Sequence, residues 1–363
     1  MPGLSQIGAV GFKSLKSAQD LQLRALNVLI GANGAGKSNL ISLFQMLSAI
    51  AESRLQIFVA KNGYANRLLH YGAKQTPSMS CWIEFPTKTG DDLYYFHLAA
   101  AADDTLVFAL EDVETRIVAG GNRRRYNLGS GQRESKLVEG DAYLAPIREM
   151  LRGIRVFHFE DTSPNAPIRK ACRLDDGRYL YDDGSNLAAV LYRLQESHRD
   201  VYQRIVATIR QVAPFFQDFS LVPDGPMILL RWTDRDSNYE FSADQLSDGT
   251  VRAIAMITLL LQPEDELPRL IVLDEPELGL HPYAIEAMAS LLRRASASCQ
   301  IIVATQSISL VNQFQPEDII VTTRDGASTD FKRPRSEDLE KWLDEYAVGD
   351  LWRKNLIGGT PYK

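Results

Sequence analysis

The stretch "LIGANGAGKSNLI", residues 29–41, limits the fold of this chain more than any other. Ala25 to Ile30 is an unbroken, largely apolar run, which predicts a strand buried on both faces of a parallel sheet. Three glycines, Gly31, Gly34 and Gly36, then allow a tight turn whose backbone N–H groups point inward as an anion nest. The periodic "NLISLFQML" predicts a helix from about Lys37, with the positive end of its dipole aimed at the same anion. Gly31, Gly36, Lys37 and Ser38 together satisfy G-x-x-x-x-G-K-[ST]. This pattern cradles nucleotide phosphates, with Lys37 reaching the β- and γ-phosphates and the Ser38 hydroxyl ligating Mg²⁺. The expected ligands are therefore ATP and Mg²⁺. Asn33, Gly34, Ala35, Gly36, Lys37, Ser38 and Asn39 form the expected nucleotide cradle.

A second apolar run ends in two carboxylates, "RLIVLDEPELGLHP" from Arg269 to Pro282. Open α/β sheets bind ligands at the C-terminal ends of their strands, which is where such a strand would deliver Asp274 and Glu275. Asp274 is the candidate metal ligand. Glu275 is the candidate general base, orienting and polarising the attacking water. "QIIVATQSISLV", from Gln300 to Val311, predicts a further buried strand with Gln306 at its end. A glutamine there can bond a phosphate or water but cannot titrate near neutral pH. Lys37, Glu275 and Gln306 form the candidate catalytic set.

Between the cradle and the acidic strand lies "QLSDGTVRAIAMITLLLQP", from Gln245 to Pro263. Ser247 has the character of a helix N-cap, Gly249 permits close approach, and Pro263 ends the helix. In this order and place, Leu246 to Thr250 resembles the signature motif of ABC ATPases. That resemblance implies a head-to-head homodimer sandwiching two ATP molecules, with Ser247 and Gly249 serving the nucleotide on the opposite chain. Gln306 stands where the family usually has a switch histidine, which leaves the hydrolysis rate open. "ELGLHP" stands where the family has its D-loop, and His281 is a further candidate there.

The branch is narrowed by the ends of the chain. "IGAVGFKSLKSAQDLQL" is similar to the start of SMC/RecF-type heads, and that resemblance places Lys13 and Ser14 beside the nucleotide. "DEPELGLHP", "ATQS" and the C-terminal "WLDEYAVGDLWRKNLIGGTP" resemble compact bacterial RecF-like ATPases, the overcoming-lysogenization-defect and anti-phage-defence group. The resemblance is good at both ends and loose in the middle. It implies an ATPase subunit, slow and partner-regulated, that gates a separate nuclease or toxin effector, such as a Toprim-fold protein. The alternative is a DNA-repair ATPase acting directly on DNA. A transporter domain fits least, because 210 positions separate Lys37 from Ser247.

The middle stretch carries no such motif. Residues 78–117 alternate apolar and polar side chains between turn signals, predicting an antiparallel meander. Gly120 to Lys136 is Gly-, Ser- and Arg-rich and reads as an exposed loop. Arg123, Arg124, Arg125, Arg133 and Lys136 make it a candidate DNA-phosphate contact, or equally a solvated turn. Gly184 to Phe216 has helical periodicity with a break expected near His198, and no sustained heptads. Ser336 to Gly359 reads as a terminal helix carrying Trp342, Leu343, Tyr346, Leu351 and Trp352, either docked on the core or offered to a partner.

The fold class expected is α/β: an ABC-type P-loop NTPase head with a mainly parallel core sheet, an antiparallel β-lobe and a helical insertion. The expected divisions are 1–60 and 216–330 for the two parts of the head, 61–215 for the inserted lobe and 331–363 for a helical extension. Composition sets limits on partners. The net charge of −6 gives no bulk attraction to nucleic acid. The three scattered cysteines lack metal-ligand spacing and suit a reducing cytoplasm. No apolar run is long enough to span a membrane.

Overall fold

The computed structural model describes residues 3–87, 90–116, 123–137, 144–159, 161–343 and 345–360. The chain begins with strands β1 (Gln6–Phe12), β2 (Leu15–Gln22) and β3 (Leu26–Ile30), then helices α1 (Lys37–Ala51), α2 (Leu55–Lys61) and α3 (Tyr64–Leu68). A meander follows: β4 (Ser78–Thr87), β5 (Gly90–Ala100), β6 (Leu106–Arg116) and β7 (Arg123–Gly129). Next come α4 (Ala145–Arg152), β8 (Ile154–Phe157), the short β9 (Cys172–Arg173), α5 (Leu187–Ser197) and α6 (Arg199–Val212). Four short strands, β10 (Phe216–Phe219), β11 (Met227–Ile228), β12 (Arg231–Asp234) and β13 (Ser237–Ser242), lead into α7 (Asp248–Leu261). The rest is β14 (Leu270–Asp274), α8 (Pro282–Ala295), β15 (Gln300–Thr305), α9 (Ile308–Val311), β16 (Ile319–Asp325), β17 (Ser328–Lys332), α10 (Ser336–Leu343) and α11 (Val348–Arg353).

Two six-stranded sheets organise these elements. The core sheet has the order β17-β16-β3-β15-β14-β8, and every pair in it is parallel except β16 with β17. Its central strands are apolar at nearly every position because both faces are covered. Val28, Ile30, Ile271, Leu273, Ile301 and Val303 face the cluster formed with α5, α6, α7 and α8. Leu29, Leu270, Val272, Ile302 and Ala304 face the opposite cluster, formed with α1 and the second sheet. That second sheet is antiparallel, in the order β2-β1-β4-β5-β6-β7. Its β4 buries Met79, Cys81, Ile83 and Phe85, while the alternate residues stay partly open. Helix α1, carrying Leu40, Leu43, Phe44 and Leu47, is packed in the layer between the sheets.

The middle stretch therefore serves both sheets: β4 to β7 extend the antiparallel one, and β8 forms the outer strand of the core. The break near His198 is present, with α5 ending at Ser197 and α6 starting at Arg199. Two expectations are corrected. Arg123–Gly129 is a strand, not a loop, because it pairs with β6 and sets Asn127 opposite Asp112. Residues 120–122 of that stretch lie outside the described residues. The C-terminal stretch is two helices rather than one. The chain leaves α10 and re-enters α11 after Ala347, whose backbone is extended. Gly349 then lets α11 lie directly on the Ile308 carbonyl and the Asn312 side chain, at α9 and its C-cap.

Candidate functional site

The cradle is built by the turn after β3. Gly36 holds φ at +117°, in the left-handed region, and a Cβ there would overlap the Thr329 hydroxyl. Thr329, on β17, donates to the Ala35 carbonyl at 2.8 Å and lies 2.7 Å from the Ser14 hydroxyl. Asn39 in turn donates to Ser14 at 2.6 Å. The glycine turn is thus tied to the β1–β2 turn through one chain of hydroxyls. Lys37 is buried, and its Nζ donates to the Gly31 carbonyl at 2.6 Å. Burial lowers the Lys37 pKa, while the charges of Glu275, Asp274 and Glu277 pull it back up.

A cavity of about 410 Å³ opens over this turn. Asn33, Gly34, Gly36, Lys37, Ser38 and Asn39 line it from one side, and Asp274, Glu275, Leu278 and Gln306 from the other. The two groups meet because β3, β15 and β14 are adjacent and parallel, so their C-terminal ends share one edge. Gln306 Nε2 donates to Glu275 Oε1. Glu275 sits at φ +41°, an unfavourable backbone for a side chain with a Cβ, and such strain concentrates at working sites. Ala35 is buried behind the cavity rather than lining it. Lys13 and Ser14 line an adjoining cavity of about 400 Å³ that shares Asn39 with the first. Lys13 holds φ at +46° and donates to Ser42 at 2.7 Å, and burial lowers its pKa.

Ser247 and Gly249 do not line the cavity of their own chain. Ser247 caps α7, accepting from the Thr250 amide at 3.2 Å. Gly249 lies directly on the Gly279 carbonyl, which leaves no room for a side chain. His281 is exposed at the N-cap of α8 and makes no capping bond there.

Several residues around the site carry no sequence signature. Arg169 is buried, donates to the Ala243 and Leu246 carbonyls, and pairs with Asp248 at 2.8 Å, fixing the loop before α7. Arg252 donates to the Phe159 and Leu278 carbonyls, bracing the loop after β14. Glu277 is buried and accepts from the Thr305 hydroxyl. Burial pushes the Glu277 carboxyl above its ordinary range, opposed by that hydroxyl. A run of basic and acidic letters marks none of these roles, because each partner is remote in sequence.

The residues fit a nucleotide triphosphate. The turn is bare of side chains at Gly31 and Gly36, where a Cβ would collide, and a buried lysine faces three carboxylates. Among the described residues no cluster of three or more His, Cys, Asp or Glu could hold a metal by itself. Ser38 and Asp274 on the cavity wall offer two oxygens, a number that fits Mg²⁺, which takes one or two from protein and fills its remaining positions with phosphate and water.

The fold and this cavity define a P-loop ATPase head of the ABC/SMC type. The chain belongs to the family described as "AAA domain, putative AbiEii toxin, Type IV TA system", which matches residues 26–74 and 112–312. Solved structures with the same fold include an Smc head bound to the C-winged helix domain of ScpA. It has a TM-score of 0.61 at 14% identity and covers 94% of this chain and 100% of that one. An Smc head domain with an extended coiled coil from Pyrococcus furiosus, bound to the C-terminal domain of ScpA, aligns with a TM-score of 0.60 at 14% identity. That match covers 95% of this chain and 99% of the other. No curated protein matches the chain by sequence. No helix among the described residues is long and apolar enough to cross a membrane.

Proposed function

We propose that this chain binds ATP with Mg²⁺, closes as a homodimer around two nucleotides, hydrolyses them slowly and thereby gates a separate effector protein. The observation that carries the reading is the pairing of Gln306 with Glu275 on the wall of the cavity that Lys37 and Ser38 also line. Lys37 would hold the β- and γ-phosphates, and Ser38 and Asp274 would hold Mg²⁺, which neutralises charge on the phosphates when bound. Glu275 would accept the proton of the attacking water, and Gln306 would orient the carboxylate and that water.

Closure by a second copy is supported by what the loop after β14 presents. Leu278 is 50% exposed on the cavity wall and Tyr283 is 57% exposed at the start of α8. Apolar groups beside a charged cavity suit burial by a partner. Ser247 and Gly249 lie outside their own chain's cavity, as a shared site requires. The family description names a putative toxin of a Type IV toxin–antitoxin system, which supports a toxin-like setting; the separate effector, a nuclease or toxin in the cytoplasm, is part of the proposal. Direct action on DNA has weaker support. Arg125 is engaged by Asp112, and Arg133 pairs with Asp103 at 2.7 Å, so two of the basic residues in that stretch are already matched.

The test is the mass of the wild type and Glu275→Gln by light scattering, with and without ATP and Mg²⁺, with turnover measured on the same samples. A dimer trapped in the variant on adding ATP, with turnover lost, supports both closure and the base. Unchanged mass removes nucleotide-driven closure, and surviving turnover removes Glu275 as the base.

A further inference from the structure

Glu277 has no part in the chemistry assigned above, yet it is the buried carboxylate closest in sequence to it. It is 8% exposed, and no salt bridge reaches it from the described residues. One oxygen, Oε1, accepts from Thr305. The other, Oε2, is buried without a hydrogen-bonding partner. Such an arrangement is poor for stability, since a buried carboxylate with an unmatched oxygen loses more hydration than one hydroxyl returns.

What the bond does is geometric. Thr305 is the last residue of β15, and its hydroxyl also accepts from the Ser307 amide at 2.9 Å. Ser307 in turn caps α9, accepting from Leu310 at 3.2 Å. The residues on both sides of Gln306 are therefore fixed, and the fixing runs through Thr305 to Glu277. On its own segment, Glu277 lies between Glu275 and the Gly279 carbonyl on which Gly249 rests. One carboxylate thus joins the base, its glutamine partner and the loop beneath the signature residues.

We propose that Glu277 is a positioning residue for hydrolysis: through Thr305 it sets Gln306 against Glu275 and ties that pair to the loop packed under Gly249. The proposal rests on the reading of Glu275 as the base. Replacing Glu277 by an apolar residue removes a buried charge, so folding stability holds or rises. The rate falls all the same, because a small misplacement of Gln306 misorients the reacting groups.

The experiment uses the full chain, with kcat, KM, binding of a fluorescent ATP analogue and melting temperature measured for four variants. Glu277→Met and Thr305→Val each lower kcat by about tenfold with analogue affinity within about twofold; the melting temperature does not drop for Glu277→Met, whereas Thr305→Val, which strands the buried carboxylate, melts lower. The double variant is no slower than the slower single one, because both remove the same link. Thr305→Ser keeps the hydroxyl and restores the rate. Glu275→Gln is run alongside. If it abolishes turnover while Thr305→Val leaves kcat untouched, the positioning role is wrong and the base stands. If Glu275→Gln itself turns over, the base reading has failed. Additive losses in the double variant, or parallel losses of kcat, affinity and melting temperature in Glu277→Met, also overturn the positioning role. Should Glu277→Met fail to fold, the Thr305 pair decides the matter alone.

Discussion

The two six-stranded sheets treat the same side chain in opposite ways. In the antiparallel sheet Glu111 is fully buried. It accepts from Tyr94 at 2.8 Å, Gln132 at 3.0 Å, Ser135, and the Lys136 amide at 3.1 Å. Its neighbour Asp112 is held by Arg125 and by Asn127 at 2.8 Å. Every oxygen has a partner, so the carboxylates act as rivets between strands. In the parallel sheet Glu275 sits on a strained backbone at a cavity wall with a single glutamine, and Glu277 keeps an unmatched oxygen. A fully bonded acid stabilises, whereas an under-bonded acid at a strand end is available for chemistry.

The comparison can be broken by moving each acid's effect into the other's readout. The largest effect is expected at Glu275→Gln, which should lower turnover by about 10²–10⁴ while the melting temperature stays close to wild type. A stability loss of the same order as that at Glu111 would erase the distinction. Next, Glu111→Leu strands four donors and should destabilise by about 3–5 kcal/mol, seen as a lower midpoint in urea. Turnover per folded molecule should be unaffected.

Gly36→Ala sharpens the comparison at the backbone. It forces a side chain into φ +117° against Thr329, at an expected cost of about 1–3 kcal/mol, read as weaker ATP binding. The smallest effect belongs to Asp92, buried on β5 between Phe85 of β4 and Thr115 of β6. Burial, with Asp91 beside it, raises its pKa from 3.8 to about 6. Its contribution to stability is complete below 3.8 and is lost as pH rises through 6. Asp92→Asn should raise the melting temperature by about 2–4 °C at pH 7.5 and leave it unchanged at pH 4.

The sequence made the parallel sheet legible and much of its surroundings illegible, for one physical reason. Gly36, Lys37 and Ser38 must be contiguous to wrap a phosphate, and Asp274 and Glu275 must end a strand, so spacing alone exposes them. Thr329 and Arg169 act across 294 and 77 positions respectively, where no local pattern reaches. The run Arg123 to Gly129 hid a strand because its cross-strand partners, rather than its own alternation, supply the pairing: Arg125 faces Glu114 and Asn127 faces Asp112. The break between α10 and α11 hid for a similar reason. It is set by how Gly349 lies on the Ile308 carbonyl, not by a proline or glycine at the break itself.

The place of β3 has a consequence for synthesis. Its two neighbours in the sheet are β15 and β16, which pair Leu26 with Ile301 and Val28 with Ile319. The strand that ends in the glycine turn is made early, yet its two edges are closed by residues made 275 and 291 positions later. At about 5–20 residues per second, a ribosome leaves those edges unpaired for roughly a quarter of a minute to a minute. Nascent chains of this protein thus pass through a long interval in which an apolar strand has nowhere to pair. Ribosome-stalled chains truncated before residue 300 should be unable to bind ATP, however much of the antiparallel sheet they have already formed.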